Sequence, residues 1–521
     1  MQGKDPIIAG KDHHDRPTGV TPVRKIPPRF WWTRRIALAW LLLVAAVVGS
    51  GLWWRYEADR RVRVELDAIV ARGERLDGSR GPVKSLPPEQ NAAEHYLRAL
   101  KKLHEPPRGI SIDSYRRAAM SSRAEVASRI DEYLTASAQT LDECRAARGA
   151  AGVEWRSAST NIVLIEQSDI AIDPVTLGDL LCLRAIRQAE TGDSAASLQV
   201  LQDLDALAHA LDQDGAGGNN WRVQLLHQSL ALAVEEISPH LKPADAQAVR
   251  SLITILLDDQ PLESSRHMLR VARGDAYIDM DVLNSQKYRW HGSVNVIPEP
   301  GGKFLRRGPQ WAWTPVAWVI QPMVLCDQAR MLHGFDQIIQ ANRQVTMDRA
   351  KRMAEAMSPP NRPSWLWPYT RFLGWTTPMY YRGGWIEVKR TYTTLAVRRL
   401  AAGLLALRLF EMEKGGPAQS LTELVPEYLP AVPIDPCDPA GGPIRAKLTE
   451  AGPRLYSLGI NGLDDGGVLG LRDTPYAPAD LVLFLRQEDR LREGWTLILR
   501  EDWTLLSELH IEQIQPPAAA E

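Results

Sequence analysis

Neither sign of charge dominates this chain. Lys and Arg number 62 against 63 Asp and Glu, a formal net charge of −1. It therefore lacks the basic field that neutralises phosphates, and a nucleic-acid partner is not expected. Cysteine is scarce: Cys144, Cys182, Cys326 and Cys437 stand far apart, with no C-x-x-C pair. That removes zinc-ribbon and thioredoxin chemistry, although four cysteines still allow three disulfide pairings. Free buried thiols suit them equally well. The sequence holds no H-E-x-x-H, no Walker A, no G-x-S-x-G and no G-x-G-x-x-G string. A zincin, a P-loop ATPase, an α/β-hydrolase and a dinucleotide-binding fold all lack a handle. His95 and His104 fall on roughly opposite faces of one helix and do not suit a shared metal. The acidic pairs Glu235-Glu236 and Asp258-Asp259 read as solvated charge on helix surfaces or ends rather than as a glycosidase dyad.

Against these absences stands one long apolar run. From Ile36 to Trp54, IALAWLLLVAAVVGSGLWW, no residue is charged. At ~1.5 Å per residue a helix of this length spans roughly 28 Å, about one hydrocarbon core. Arg34 and Arg35 bound it on one side and Arg55 on the other, with Trp31, Trp32, Trp53 and Trp54 at its ends. There an indole buries its ring and keeps its N–H wet. No polar face interrupts the run, which argues against an ordinary core helix. Residues 1–35 carry eight Lys and Arg against Asp5, Asp12 and Asp15. The far flank is basic too (Arg55, Arg60, Arg61, Arg63), but a long following domain is translocated despite such charges. The expectation is a cell inner-membrane protein with one signal-anchor helix, a cytoplasmic N-terminus and a large extracytoplasmic domain. A cleaved signal peptide is the alternative, since Val48-Gly49-Ser50 is small enough for a peptidase. The apolar run exceeds the usual length of about 7–15 residues, however, and the segment before it is long.

The length, 521 residues, suggests about three units. Residues 1–35 are rich in Pro and scattered charge and read as a disordered tail, with His13-His14 solvated. Residues 55–285 read as a helical domain, an irregular α-helical bundle or short solenoid. Helices are expected over 57–75, 89–103, 175–190, 194–211, 222–237 and 243–257 from apolar residues at helical spacing. Thr191-Gly192-Asp193 turns one helical hairpin, similar in style to a tetratricopeptide unit but without a recurring period. Residues 286–390 hold eight of the 17 Trp and many Pro, with one helix expected over 323–357. Such rings fill gaps in irregular packing or form an interface; the first use is the commoner. WAWTPVAWVIQPMVLC (311–326) is too short, and too interrupted by Pro and Gln, to span a membrane.

The last third has its own pattern. Thr394 to Lys414 forms an apolar stripe of Val397, Leu400, Ala401, Leu404 and Leu407, with Arg398, Arg399 and Arg408 off it. Gly415-Gly416-Pro417 ends that helix. Ser420–Val425 reads as a short helix with a Ser420/Glu423 capping box. A Pro-rich strap, PEYLPAVPIDPCDP, follows, then strands at 454–458, 481–486 and 495–499. Leu400, Leu404 and Leu407 are expected to pack on a sheet carrying Leu455, Leu458, Leu481 and Leu483. Residues 488–521 form a final strand and tail.

The order of helix, Gly turn, SLTELVPEYLPAVPIDP, RLYSLGINGLDDGG and ADLVLFL resembles the C-terminal part of the type II secretion major pseudopilins, over roughly residues 391–487. The whole chain is also similar to uncharacterised single-pass bacterial membrane proteins that join a helical domain to such an ending. The resemblance implies a small α+β pseudopilin-like module around a calcium ion. It would be held by Asn461, the Leu463 carbonyl, Asp464, Asp465 and a trailing carboxylate, Asp480 or Asp473, with other carbonyls and water completing six to eight oxygens. An Asn-Gly turn capped by its own side chains accounts for the same residues without an ion. Cys437 stands where the family has Trp. The prepilin peptidase site and the acidic residue of the family's membrane helix are absent, so processing as a pilin is not expected.

The expected architecture is mainly α: a transmembrane helix, a helical bundle or short solenoid, and the small C-terminal α+β module. The expected function is that of a membrane-anchored extracytoplasmic interaction or scaffold protein. Its partners would be the bilayer, through 36–54, and a protein of the cell envelope. A component of a type II secretion or pilus-like assembly, and an extracytoplasmic enzyme acting on an envelope substrate through loops in 286–390, are the alternatives. An enzyme predicts a deep cleft with converging carboxylates or His; a docking protein predicts a broad groove.

Overall fold

The computed structural model describes residues 30–74, 86–117, 120–155, 174–213, 220–284, 310–357, 376–449, 452–467 and 481–484. Asp480, strand 495–499, the tails 1–29 and 488–521, His13-His14 and much of the aromatic segment 286–390 lie outside them. Two units emerge, one ending at Glu57 and one beginning at Ala58. The first contains the apolar run, which is helical throughout within α1 (Trp31–Ala71). Its most apolar window is wholly exposed, and α1 is the one described helix long and apolar enough to cross a membrane. Leu38, Trp40, Leu41, Leu42 and Leu52 all stand out from it uncovered. At its start the Arg35 guanidinium lies 3.5 Å from the centre of the Trp31 ring.

The unit from Ala58 onward is mostly helical. After the end of α1 come α2 (Ala92–Lys102), α3 (Ile112–Arg117), α4 (Met120–Ala136) and α5 (Ala138–Arg148). The hairpin α6 (Pro174–Glu190) and α7 (Ser194–Gln213) turns where Thr191-Gly192-Asp193 was expected to turn it, with Gly192 at φ 93. Then follow α8 (Asn220–Ile237), α9 (Ala246–Leu257), α10 (Gln260–Asn284), α11 (Gln310–Ala341), α12 (Met347–Met357) and α13 (Thr376–Lys414). The expected single helix over 323–357 is two. Its continuation is broken at 342–346, where Asn342 donates to Ser265 Oγ (2.9 Å) and Tyr392 Oη donates to the Gln344 carbonyl (2.7 Å). Thr346 Oγ1 then accepts from Arg349 N (3.3 Å) and starts α12, as an N-cap hydroxyl does.

Helix α13 is the axle. Val388, Tyr392, Leu395, Ala396, Val397, Leu400, Ala401, Leu404, Leu405 and Leu409 are all buried, so apolar side chains surround it. That is the signature of a helix enclosed by its neighbours rather than lying on a surface. α8 and α9 pack on it, as do α10, α11 and the sheet. Arg398, expected off the stripe, is fully buried. One core runs from α2 through α6–α9 to the middle and end of α13 and the strands. A second gathers Val62 and Ile69 of α1 with α10, α11, α12 and the start of α13.

The C-terminal strands form one antiparallel sheet in the order β1 (Arg445–Thr449), β2 (Gly452–Ser457), β3 (Leu481–Phe484). Ala446 pairs with Leu455 and Leu455 with Leu483, which aligns their side chains on one face. That face meets α13 at Gly403, where a Cβ would come within 2.8 Å of Leu455 Cδ1 and 3.1 Å of Ile444 Cδ1. Leu400, Leu404 and Leu407 belong to the same core as Leu455, Leu481 and Leu483. The short helix is a 3-10 turn, Leu421–Leu424, and the expected capping box does not form. Glu423 accepts from Gln419 N (3.2 Å) instead of from Ser420 N.

Candidate functional site

Four of the five calcium-ligand candidates share one loop. Asn461 Oδ1 accepts from Leu463 N (3.2 Å) and Asp464 Oδ1 from Gly466 N (2.9 Å). Asn461 Nδ2 donates to Asp465 Oδ2 (3.3 Å), and Leu463 is 61 % exposed. Gly462 and Gly466 have φ of 65 and 76, values that favour glycine. Asp464 Oδ2 lies 3.2 Å from Arg445 Nε, and the same guanidinium reaches Asp438 Oδ2 at 2.9 Å. As arranged, these residues form an Asx-closed turn beside an arginine. Among the described residues no group of three or more His, Cys, Asp or Glu could hold a metal.

The strap above this loop is held by a different acid. Asp435 is fully buried and accepts from Ser457 Oγ (2.7 Å), Cys437 N (2.9 Å) and Leu458 N (2.9 Å). Burial pushes its carboxyl up, against the pull of these donors and of Arg445. It ties the strap to the end of β2. All four cysteines are free thiols, Cys437 among them.

The helical layer contains two charged clusters. In the first, Glu235 and Glu236 of α8 are buried rather than solvated, which corrects the expectation from sequence. Arg116 of α3, fully buried, donates to Glu235 and through Nε to Glu236 Oε1 (3.1 Å). Arg123 of α4 joins Glu190 (3.1 Å) and Glu236 (3.3 Å). Tyr115 Oη donates to Glu190, and burial and that carboxylate push the phenol up to about 12. Every acid in this cluster faces an arginine, which holds the charges in place. Removing one partner of such a buried pair costs about 3–5 kcal/mol.

The second cluster centres on Arg398. Its guanidinium donates to His227 Nδ1 (2.7 Å), Asp258 Oδ1 (2.8 Å) and the Ile255 carbonyl, and lies 3.7 Å from Asp205 Oδ1. Burial, then the Arg398 charge, hold His227 well below its usual range, so it is neutral and its Nδ1 accepts. Burial would raise Asp205, but the hydrogen bond from His209 and the charge of Arg398 lower it. That same hydrogen bond raises His209. α7, α8 and α9 are thus fastened to α13 through one side chain. A step towards the N-terminus of α13, Glu387 is buried beside Gln224 and Thr391, and burial pushes its carboxyl up to about 7.

A groove of about 530 Å³ opens between α4, α5, α6 and α7. Its floor is Leu134, Leu181 and Val200, with Asp203 buried beside them. Asp131, Asp142, Arg145 and Arg184 stand around it. Asp203 pairs with Arg148 (2.9 Å) and Asp131 with Arg187 (2.8 Å). Among the described residues Arg145 and Arg184 are in no salt bridge or hydrogen bond. Nothing in the sequence marks these two arginines: they sit on separate helices, outside any motif. Against this geometry, no protein-family model, no curated protein and no solved structure matches the chain.

Proposed function

We propose that this is a membrane-anchored interaction protein of the cell envelope. The segment 36–54 spans the inner membrane, the N-terminus lies in the cytoplasm, and the unit from Ala58 onward docks a protein partner outside it. The observation that carries the anchoring is the uninterrupted exposure of apolar side chains on α1, a face that water would not tolerate at this length. Docking rather than catalysis is supported by the chemistry of the clusters. The carboxylates around Arg116, Arg123 and Arg398 are held by guanidinium groups, whereas the groove between α4 and α7 keeps two arginines unpaired. A subunit of a type II secretion or pilus-like assembly is the second reading, favoured by the helix, strap and sheet order that ends the chain.

The test has two arms. A reporter fused after Glu521 is expected to be active only outside the cytoplasm. Affinity capture of the full chain from detergent-solubilised membranes is expected to return an envelope protein in stoichiometric amount. A cytoplasmic C-terminus, or a full chain that stays soluble without detergent, overturns the anchoring. Hydrolysis of an envelope polymer by the purified chain would favour the enzyme alternative, and co-purification with secretion subunits would favour the second reading.

A further inference from the structure

The groove between α4, α5, α6 and α7 keeps two guanidinium groups without a hydrogen-bonded partner among the described residues, and they point to its occupant. Asp131 is saturated by Arg187, which meets both its oxygens at 2.9 and 2.8 Å. Asp203 is taken by Arg148 at 2.9 Å. Arg145 acts on Asp203 and Arg184 on Asp131 only as charges through space, so on the rim both guanidinium groups keep their N–H donors open above an apolar floor. A guanidinium is a fork of donors shaped for a carboxylate. Leu134, Leu181 and Val200 are buried beneath it, each under 5 % exposed, and offer a dry seat for an aliphatic side chain.

We propose that this groove binds the C-terminal carboxylate of a polypeptide whose last residue is apolar. The inference rests on the docking reading above and names the partner's chemistry. The carboxylate meets Arg145 and Arg184, and the last side chain covers the Leu134–Leu181–Val200 floor. The preceding peptide groups run along the polar rim, where Asp142 accepts from a peptide N–H. A volume of about 530 Å³ holds a few residues and lies within the range of pockets that bury small ligands. Peptide N–H groups give Asp142 a donor that a fatty acid cannot supply.

The experiment uses the full chain in detergent micelles and a dye-labelled pentapeptide ending in leucine, followed by fluorescence anisotropy. The free acid is expected to bind at least tenfold more tightly than its C-terminal amide, and its affinity is expected to fall as salt rises. Arg145→Gln and Arg184→Gln are each expected to weaken the acid by about fivefold or more and to leave the amide unchanged. Asp142→Ala removes the acceptor for the peptide N–H and is expected to weaken acid and amide alike. All three side chains lie on the groove's rim, and unchanged thermal unfolding of the variants confirms that they fold. Equal affinity for acid and amide overturns the proposal, as does binding indifferent to both arginine substitutions. Octanoate competing better than the pentapeptide would replace the peptide by a lipid-like acid and also overturns it. A partner captured by the full chain with no pentapeptide binding would leave the docking reading standing and sink this one alone. Peptide binding by a chain whose C-terminus proves cytoplasmic would do the reverse.

Discussion

Glycine at position 178 lies in the middle of α6, where helix propensity alone favours alanine by about 1 kcal/mol. The tertiary structure predicts the opposite outcome. A Cβ on Gly178 would enter the space of Leu226 Cδ2 on α8, and would lie 3.5 Å from Leu204 Cδ1 on α7. Leu204 and Leu226 are fully buried, so neither can swing into solvent to make room. Overpacking a dense core costs about 1–3 kcal/mol, and here the overlap is with a central methyl of two packed helices. Gly178→Ala is therefore expected to destabilise the protein by up to about 2 kcal/mol after the propensity gain is set against it. Leu226→Ala alone should cost about 2–5 kcal/mol through the cavity it leaves. In the double variant the new methyl enters that cavity, so the total should fall short of the sum by about 1 kcal/mol or more. Couplings of that size are usual for residues in contact. Urea unfolding of the full chain in detergent, read by near-ultraviolet circular dichroism, measures all three. A more stable Gly178→Ala, or effects that add within about 0.5 kcal/mol, would refute the close approach of α6 and α8.

Leu404→Ala, in the enclosed part of α13, should cost about 2–5 kcal/mol; a loss under about 0.5 kcal/mol is that of a surface site and would remove α13 from the core. Glu387 gives a pH signature, because burial raises its carboxyl from 4.5 to about 7. The folded state then binds the proton more tightly than the unfolded one. Its contribution is fully present below about 4.5 and is lost as pH rises through about 7, a difference on the order of 3 kcal/mol. Relative to Glu387→Gln, the unmodified protein should lose stability between pH 5 and pH 8, and a constant difference across that range would disprove the raised carboxyl. For the loop at Asn461 to Gly467, thermal unfolding of the full chain with calcium and with chelator should coincide, since Asp464 already faces Arg445. Stabilisation of about 2.7 kcal/mol at a hundredfold excess over Kd, abolished by Asp464→Ala, would instead establish the ion that the resemblance implies.

Local signals carried the sequence reading far along the backbone and only a short way into the site. The apolar run 36–54 needs no partner to be recognised, because its length and lack of charge are properties of the segment alone. The α6–α7 hairpin was legible for the same reason: Gly192 permits a positive φ between two apolar periodicities. The ends of helices and the strap's Asp435-Pro436 were legible in position, but the role of Asp435 was not. Its three donors come from Cys437, Ser457 and Leu458, the last two on the far side of a β-hairpin.

The sequence by itself determined the exposed apolar helix, the helical character of the chain and the small sheet at its end, since periodicity and composition act over a few turns of backbone. Only the tertiary structure decided which charges are buried, and it reversed two expectations. Arg116 finds Glu236 120 residues away, and Arg398 finds His227 171 residues away. An isolated Glu-Glu pair or a lone Arg looks solvated until the fold brings its counter-charge to it. The unpaired Arg145 and Arg184 were invisible for the complementary reason. A charge is free only once every nearby partner has been assigned elsewhere, and that assignment exists only in three dimensions.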